Sequence, residues 1–79
     1  MVDRVPTEFK LRYDRLSDAL YIRIGEGKVA DSEEVAPGII LDYGENGKVI
    51  GMEVLWFSKR RVDLNKLVTE GIEAVVAEI

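Results

Sequence analysis

The side chains whose types and spacing could do chemistry in this sequence are six carboxylates: Asp14, Asp18, Glu33, Glu34, Asp42 and Glu53. Carboxylate oxygens bind Mg²⁺ or Ca²⁺, and a pair of carboxyl groups can act as acid and base. Asp42 and Glu53 fall on the same face of a predicted β-hairpin, so they are the candidate metal ligands. No calcium-loop spacing is present, and we expect these carboxylates to serve turns and a solvated strand edge, with no bound metal or cofactor.

The residues that most often support nucleophilic catalysis are missing. The chain contains no histidine and no cysteine, which removes the commonest general base, the commonest transition-metal ligand and any reactive thiolate. Ser17, Ser32 and Ser58 have no histidine to activate them. We therefore predict that the protein has no catalytic residues and is not an enzyme.

A basic run, Lys59-Arg60-Arg61, could contact phosphate groups. The whole chain has 11 basic and 15 acidic residues and a net charge of −4, which argues against nucleic acid as the main partner. The tyrosines could stack on bases, but their β-propensity already explains them; they are Tyr13, Tyr21 and Tyr43. We expect the basic run to be a solvated connection, and RNA binding stays as an alternative.

The elements that would position these side chains are organised around a hairpin in residues 38–56, where two apolar runs are joined at Asn46-Gly47. A type I′ turn needs positive φ at both central residues, which Asn and Gly tolerate best. Such a turn makes one face wholly apolar, and its pairs are Glu45–Lys48, Tyr43–Ile50, Leu41–Met52 and Ile39–Val54. A four-residue loop, residues 44–47, would keep the same faces together.

Three further segments have strand patterns. Residues 8–14 alternate, with Phe9, Leu11 and Tyr13 on one side, and residues 19–24 alternate in the same way. A loop at residues 15–18 would join these two segments as a hairpin, with the pairs Tyr13–Leu20, Leu11–Ile22 and Phe9–Ile24. Residues 29–35 are rich in acidic side chains, which is typical of a short strand at the edge of a sheet.

Residues 63–79 predict one amphipathic helix. Asp63 is suited to be its N-cap. The apolar stripe has helical spacing and consists of Leu64, Leu67, Val68, Ile72, Val75, Val76 and Ile79, with Gly71 on the same face. We expect this stripe, including Val68, to pack on the apolar face of the sheet.

Together these elements predict a single α+β domain over residues 1–79: a loose arm at 1–7, a five-stranded antiparallel β-meander at 8–57 and the helix packed on one face. With 79 residues and 47% hydrophobic side chains, the chain can form one small core. No apolar run reaches the length of about 20 residues that a membrane helix needs. The N-terminus also lacks the apolar segment of a signal peptide, so we expect a cytoplasmic protein that does not bind membranes.

Five short motifs follow one another along the chain: Tyr13-Asp14, Asp18-Ala19-Leu20-Tyr21-Ile22, Ser32-Glu33-Glu34-Val35, Gly38-Ile39-Ile40-Leu41-Asp42-Tyr43 and Gly47-Lys48-Val49-Ile50-Gly51-Met52-Glu53-Val54. In this order and spacing they resemble the small prokaryotic domain-of-unknown-function family 2283, over about residues 9–58. The resemblance carries over no catalytic or binding residues. Because some members are encoded beside small toxin-like proteins, it implies an antitoxin-like or other partner-binding role.

The second face of the sheet should be polar if it met water. The pattern instead places apolar side chains there, namely Ile40, Val49, Leu55, Phe57 and Tyr21. Such a patch on a monomer is a binding site or an aggregation hazard, so we predict an interface occupied by a second copy in a homodimer, with a toxin-like protein as the competing partner. A protein-interaction module is therefore the favoured function, ahead of metal or small-ligand binding through the carboxylates and ahead of RNA binding.

Overall fold

The computed structural model describes residues 8–77. The predicted arm at residues 1–7 and the end of the predicted helix at residues 78–79 lie outside the described part. The strands are β1 (Lys10–Asp14), β2 (Ala19–Arg23), β3 (Asp31–Ala36), β4 (Ile39–Tyr43) and β5 (Val49–Val54), and they are followed by a 3₁₀ helix (Phe57–Lys59) and two α-helices, α1 (Leu64–Glu70) and α2 (Ile72–Val76). The chain is thus α+β, as the sequence predicted.

The strands form one antiparallel sheet in the order β1-β2-β5-β4-β3. The predicted meander is therefore wrong, because β2 pairs with β5 and not with β3. Burial explains this order: β2 and β5 consist largely of buried residues, whereas residues 31–34 of β3 are all exposed. The acidic strand β3 therefore lies at an edge, and the apolar strands β2 and β5 lie inside the sheet.

The first hairpin has the predicted register, with Leu11 opposite Ile22 and Tyr13 opposite Leu20. Its turn is closed by the Asp14 carboxylate, which accepts a hydrogen bond from the backbone N–H of Leu16 at 2.9 Å. An aspartate that binds backbone two residues further along is a common turn former. This bond and the hydrogen bonds from Ser17 lower the pKa of Asp14, because they favour the ionised carboxylate.

The central hairpin has the predicted pairs Leu41–Met52 and Ile39–Val54, but Tyr43 lies opposite Val49 and not opposite Ile50. The predicted type I′ turn is also wrong, since Gly47 has a φ of 80° while Asn46 is not among the residues with positive φ. The N–H of Gly47 instead bonds the carbonyl of Gly44 at 2.9 Å, which closes the four-residue loop. The pairing shifts by one residue at a bulge around Ile50.

One face of the sheet forms the core together with the helices. Its buried residues are Leu20, Ile22, Ile39, Leu41, Met52 and Val54 from the strands, and Leu67, Ile72 and Val75 from the helices. Side chains alternate between the two faces of a strand, which is why every second strand residue belongs to this set. We call this side of the sheet the inner face.

The predicted single helix at residues 63–79 is broken at Gly71, whose φ is 94° and ψ 171°. Asp63 is the N-cap, as predicted, and its side chain accepts a hydrogen bond from the N–H of Lys66 at 3.0 Å. The expected burial of Val68 is wrong: it is 59% exposed, whereas Leu67 is 1% exposed. Because the chain changes direction at Gly71, each short helix places its own apolar side chains in the core: Leu67 from α1, and Ile72 and Val75 from α2. No helix in the described part is long and apolar enough to cross a membrane.

Candidate functional site

The candidate metal ligands lie on the outer face of the sheet. Asp42 is opposite Gly51 and Glu53 is opposite Ile40, so the two acidic residues are diagonal neighbours on adjacent strands. Both oxygens of Asp42 already accept hydrogen bonds, one from the Ser32 hydroxyl at 2.6 Å and the other from the Tyr21 hydroxyl at 2.9 Å. Within residues 8–77 no three acidic side chains are placed to hold a metal ion.

Tyr21 reaches Asp42 by lying across the glycine of the intervening strand. A Cβ atom built on Gly51 would be 2.9 Å from Cζ of Tyr21, which is too close for real atoms. Burial raises the pKa of Tyr21, so its hydroxyl keeps its proton and donates to Asp42. This arrangement ties β2 to β4 across β5, and we interpret it as structural.

The predicted interface residues do not form one row. Tyr21 and Ile40 share the outer face, on either side of Glu53. Val49 packs against the core on the inner face, because the bulge in β5 places it opposite Tyr43. Leu55, which follows β5, is half-buried.

Phe57 also lies on the inner side, where it packs against the core. The reason is Trp56, whose φ of 54° is in the left-handed region and interrupts the alternation of the strand. The ring of Phe57 then contacts Tyr13, with 6.0 Å between the ring centroids. The predicted outward interface thus loses Val49 and Phe57 to the inner side.

The rest of the outer face is mainly polar and charged. One row across the sheet contains Lys10, Arg23, Gly51, Asp42 and Ser32, and the next contains Arg12, Tyr21, Glu53, Ile40 and Glu34. The first row has two cations on one side of Gly51 and polar or acidic residues on the other, and the second row alternates charged residues with Tyr21 and Ile40. This composition is typical of a face that meets water.

An uncovered apolar surface that adjoins a strand edge lies instead on the inner side of β1. Leu11 is 57% exposed and Tyr13 is 44% exposed, although both point to the same side as the core, and Leu16 in the following turn is fully exposed. We call these three residues the β1 strip. A helix the length of α1 extends about 10 Å, whereas five strands span about 19 Å, so the short helices leave this edge of the sheet open.

Tyr13 is held in place within the β1 strip. Its hydroxyl donates a hydrogen bond to the Asp18 carboxylate at 2.5 Å, and its ring rests against Phe57. The hydrogen bond to Asp18 raises the pKa of Tyr13, since the phenol must keep its proton to donate. A fixed aromatic side chain loses little conformational freedom when a partner covers it.

The backbone edge of β1 is open as well. Among the described strands only β2 pairs with β1, so β1 and β3 form the two edges of the sheet. The edge at β3 has exposed carboxylates on both faces, with Glu33 opposite Leu41 and Glu34 opposite Ile40. Charges of this kind prevent another strand from adding, whereas the inner side of β1 is apolar.

Leu11 and Tyr13 lie on the inner face, as the alternation predicted, but their exposure was not predicted. The helix predicted over residues 63–79 would extend about 25 Å, which is more than the width of about 19 Å of five strands, so the sequence pattern contained no signal of an open edge. Leu16 is exposed because an apolar side chain in a tight polar turn has no core to join.

Comparisons with known proteins place this architecture in a family. No curated protein and no solved structure matches the chain. A family model with the description "Protein of unknown function (DUF2283)" matches residues 10–58, from the start of β1 to the 3₁₀ helix. The match covers more than half of the chain and all five strands, and the chain therefore belongs to the DUF2283 family.

Proposed function

We propose that the protein is an interaction module that binds another polypeptide at strand β1 and acts by binding rather than by catalysis. The observation that carries this proposal is the exposure of Leu11 and Tyr13 beside a strand edge to which no other described strand pairs. Exposed apolar side chains that adjoin unpaired backbone groups are unusual on an inert surface.

A polypeptide is the partner whose chemistry fits such an edge. An extended segment that adds to a sheet satisfies the free N–H and C=O groups of the edge strand, while its alternate side chains cover the apolar face. Leu11 is 57% exposed, so a partner that covers it stabilises the complex by about 1–2 kcal/mol, a little over half of the effect of burying a whole side chain. Both contributions act along the same strand, which favours polypeptide over a small ligand.

The alternatives have weaker support. Metal binding by Asp42 and Glu53 would rest on two acidic side chains, because within residues 8–77 no third one is placed beside them, and both oxygens of Asp42 already accept hydrogen bonds from Tyr21 and Ser32. RNA binding by the basic run would compete with contacts of Arg60, which lies 5.5 Å from the centre of the Trp56 ring and donates a hydrogen bond to the carbonyl of Pro37. A toxin-like protein is the competing partner under the interaction proposal, since it would also be a polypeptide.

Photochemical cross-linking tests the proposal. Benzoylphenylalanine placed at Leu16, which is fully exposed, should form polypeptide adducts, either with the purified protein itself or with proteins of the source cell. The same group at Glu33 on the opposite edge is the matched control and should form few adducts. Leu11→Lys should suppress the Leu16 adducts. Equal labelling from both positions, or no adduct from Leu16, would refute the proposed surface.

A further inference from the structure

We infer that the polypeptide bound at β1 is a second copy of this chain, whose own β1 pairs antiparallel with the first and joins the two sheets into one. This inference rests on the proposed function, because it names the partner of the same surface. It differs from the dimer predicted from the sequence, which would have used the outer face of the sheet.

The residues of β1 are self-complementary in one antiparallel register. When Arg12 lies opposite Arg12 of the second copy, Lys10 lies opposite Asp14 of that copy and Leu11 lies opposite its Tyr13. Lys10 and Asp14 are on the outer face, whereas Leu11 and Tyr13 are on the inner face. Opposite charges and apolar pairs directly across two strands both stabilise pairing, and the two-fold symmetry provides each favourable pair twice.

Asp14 is suited to its part in this register. It is exposed, and the backbone N–H groups of Leu16 and Ser17 already lower the pKa of its carboxyl group. An ionised carboxylate has about four acceptor sites, so it can also accept a hydrogen bond from the Lys10 ammonium of the second copy. The turn therefore keeps its hydrogen bonds when the strands pair.

The arginines at the symmetry axis oppose pairing, because like charges directly across two strands repel. The repulsion involves this one pair, whose exposed guanidinium groups are screened by water and salt and have both Asp14 and Lys10 of the second copy as diagonal neighbours. A shift by two residues toward the N-terminus would be worse, since it places Lys10 opposite Arg12 twice. A shift by two residues toward the C-terminus would pair Arg12 with Asp14 twice, but it would set Lys10 and Leu11 against the turn residues Leu16 and Arg15 and leave only three residues of β1 paired. A shift by one residue would bring apolar side chains opposite charged ones.

The other edge of the sheet does not offer a comparable partner for β1. Asp31 and Glu33 lie on the inner side of β3, opposite Tyr43 and Leu41, so pairing β1 with β3 of another copy would set Leu11 and Tyr13 against carboxylates. Such head-to-tail pairing would also leave free edges and extend into a filament. Pairing of β1 with itself closes at two copies.

The mass in solution and one charge variant test whether the polypeptide bound at β1 is a second copy of the chain. Light scattering at micromolar concentration should give twice the chain mass of 8.9 kDa. Leu11→Glu should raise the dimer dissociation constant by about tenfold or more, because it places a carboxylate against the apolar side of the junction. Circular dichroism should show that the variant keeps its fold, since Leu11 is more than half exposed. Glu33→Gln, on the other edge, is the control and should leave the dimer unchanged.

Single cysteines test the register, and the chain supplies a background without any. Arg12→Cys places two thiols directly opposite each other, at a Cα separation of about 5 Å that suits a disulfide. Mild oxidation should therefore give a covalent dimer in high yield. Lys10→Cys is the control: its two copies would be offset by four residues, or about 13 Å, and should cross-link poorly.

The outcomes separate this inference from the proposed function. A monomer by light scattering that still gives Leu16 adducts with a different protein would refute the second copy and keep the interaction module. A dimer in which Lys10→Cys or Glu33→Cys cross-links while Arg12→Cys does not would refute this register. Absence of both the dimer and any adduct at Leu16 would refute the inference and the proposed function together.

Discussion

The carboxylate of Asp18 binds Ser58 twice, accepting hydrogen bonds from its backbone N–H at 3.0 Å and from its hydroxyl at 2.7 Å. The carbonyl of Asp18 also accepts a bond from the N–H of Phe57 at 2.9 Å. These contacts join the turn after β1 to the 3₁₀ helix that follows β5. The family match ends at the same residue, Ser58, so the last residue of the matched segment is bonded to the turn between its first two strands.

Asp18→Asn should lower stability near neutral pH, and the loss should shrink in acid. Hydrogen bonds from Ser58 and Tyr13 lower the pKa of Asp18 in the folded protein. A lowered pKa contributes stability above the unfolded value of about 3.9, and that stability is lost as the pH falls through the folded pKa. Urea unfolding measured from neutral pH down to below the folded pKa should show the free energies of unfolding of wild type and variant converging at low pH.

Two controls make the Asp18 prediction specific. Asp18 has a φ of 54°, which Asn tolerates better than most residues, so the variant changes charge without adding strain. Ser58→Ala should reproduce part of the effect, whereas Glu45→Gln, in an exposed loop, should not. A difference between Asp18→Asn and wild type that stays constant from neutral to acid pH would contradict the assigned role.

Gly51→Ala should destabilise the protein through Tyr21. The added methyl group would meet the Tyr21 ring, and insertion of a methyl into a packed site costs about 1–3 kcal/mol. Gly44→Ala is the matched control, because its Cβ would have no neighbour nearer than 3.4 Å. In denaturant unfolding, the double variant Gly51→Ala/Tyr21→Ala should lose less stability than the sum of the losses of the two single variants. If the two losses simply add, the Tyr21 ring is not what the added methyl group meets.

Much of the sheet could be predicted from local patterns. Alternation placed Leu11 opposite Ile22 and Leu41 opposite Met52, and acidity placed β3 at an edge. A glycine inside a strand is typical of a bulge or a close approach, and the ring of Tyr21 lies close to Gly51. These features depend on side chains within one hairpin or one strand, where the period of two residues carries the information.

The remaining features depend on contacts between distant segments. The pattern of β2 contains nothing that chooses β5 over β3 as its neighbour; that choice follows from the burial of the whole strands. The bulge at Ile50 follows from the conformation of the preceding loop, and it moved Val49 out of the predicted interface. Exposure of Leu11 could not be read from its own strand, because it depends on how far the helices extend across the sheet.

Leu67 and Val68 are adjacent in α1 but should respond very differently to truncation. Leu67 is 1% exposed and Val68 is 59% exposed. Leu67→Ala should therefore cost about 2–5 kcal/mol, whereas Val68→Ala should change the free energy of unfolding by no more than about 0.5 kcal/mol. Chemical denaturation of both variants checks this, and similar losses for the two would mean that α1 is rotated relative to its described position.

Gly71→Ala should destabilise the protein even though alanine favours helices over glycine by about 1 kcal/mol. With φ at 94° and ψ at 171°, Gly71 occupies a region that residues with a side chain rarely adopt, at a cost of about 1–3 kcal/mol. The chain could avoid that strain by continuing α1, but Ile72 and Val75, which are 5% and 2% exposed, would then leave their positions in the core.

Two readouts distinguish these responses of Gly71→Ala. If the break persists, urea unfolding should show a loss of stability with unchanged helical circular dichroism; if the helix straightens, the helical signal should rise while stability still falls. Gly47→Ala is the control, because Gly47 also has positive φ with open space around it but lies in a loop between strands. A Gly71→Ala variant that is more stable than wild type would show that the predicted continuous helix, and not the broken one, is the preferred form.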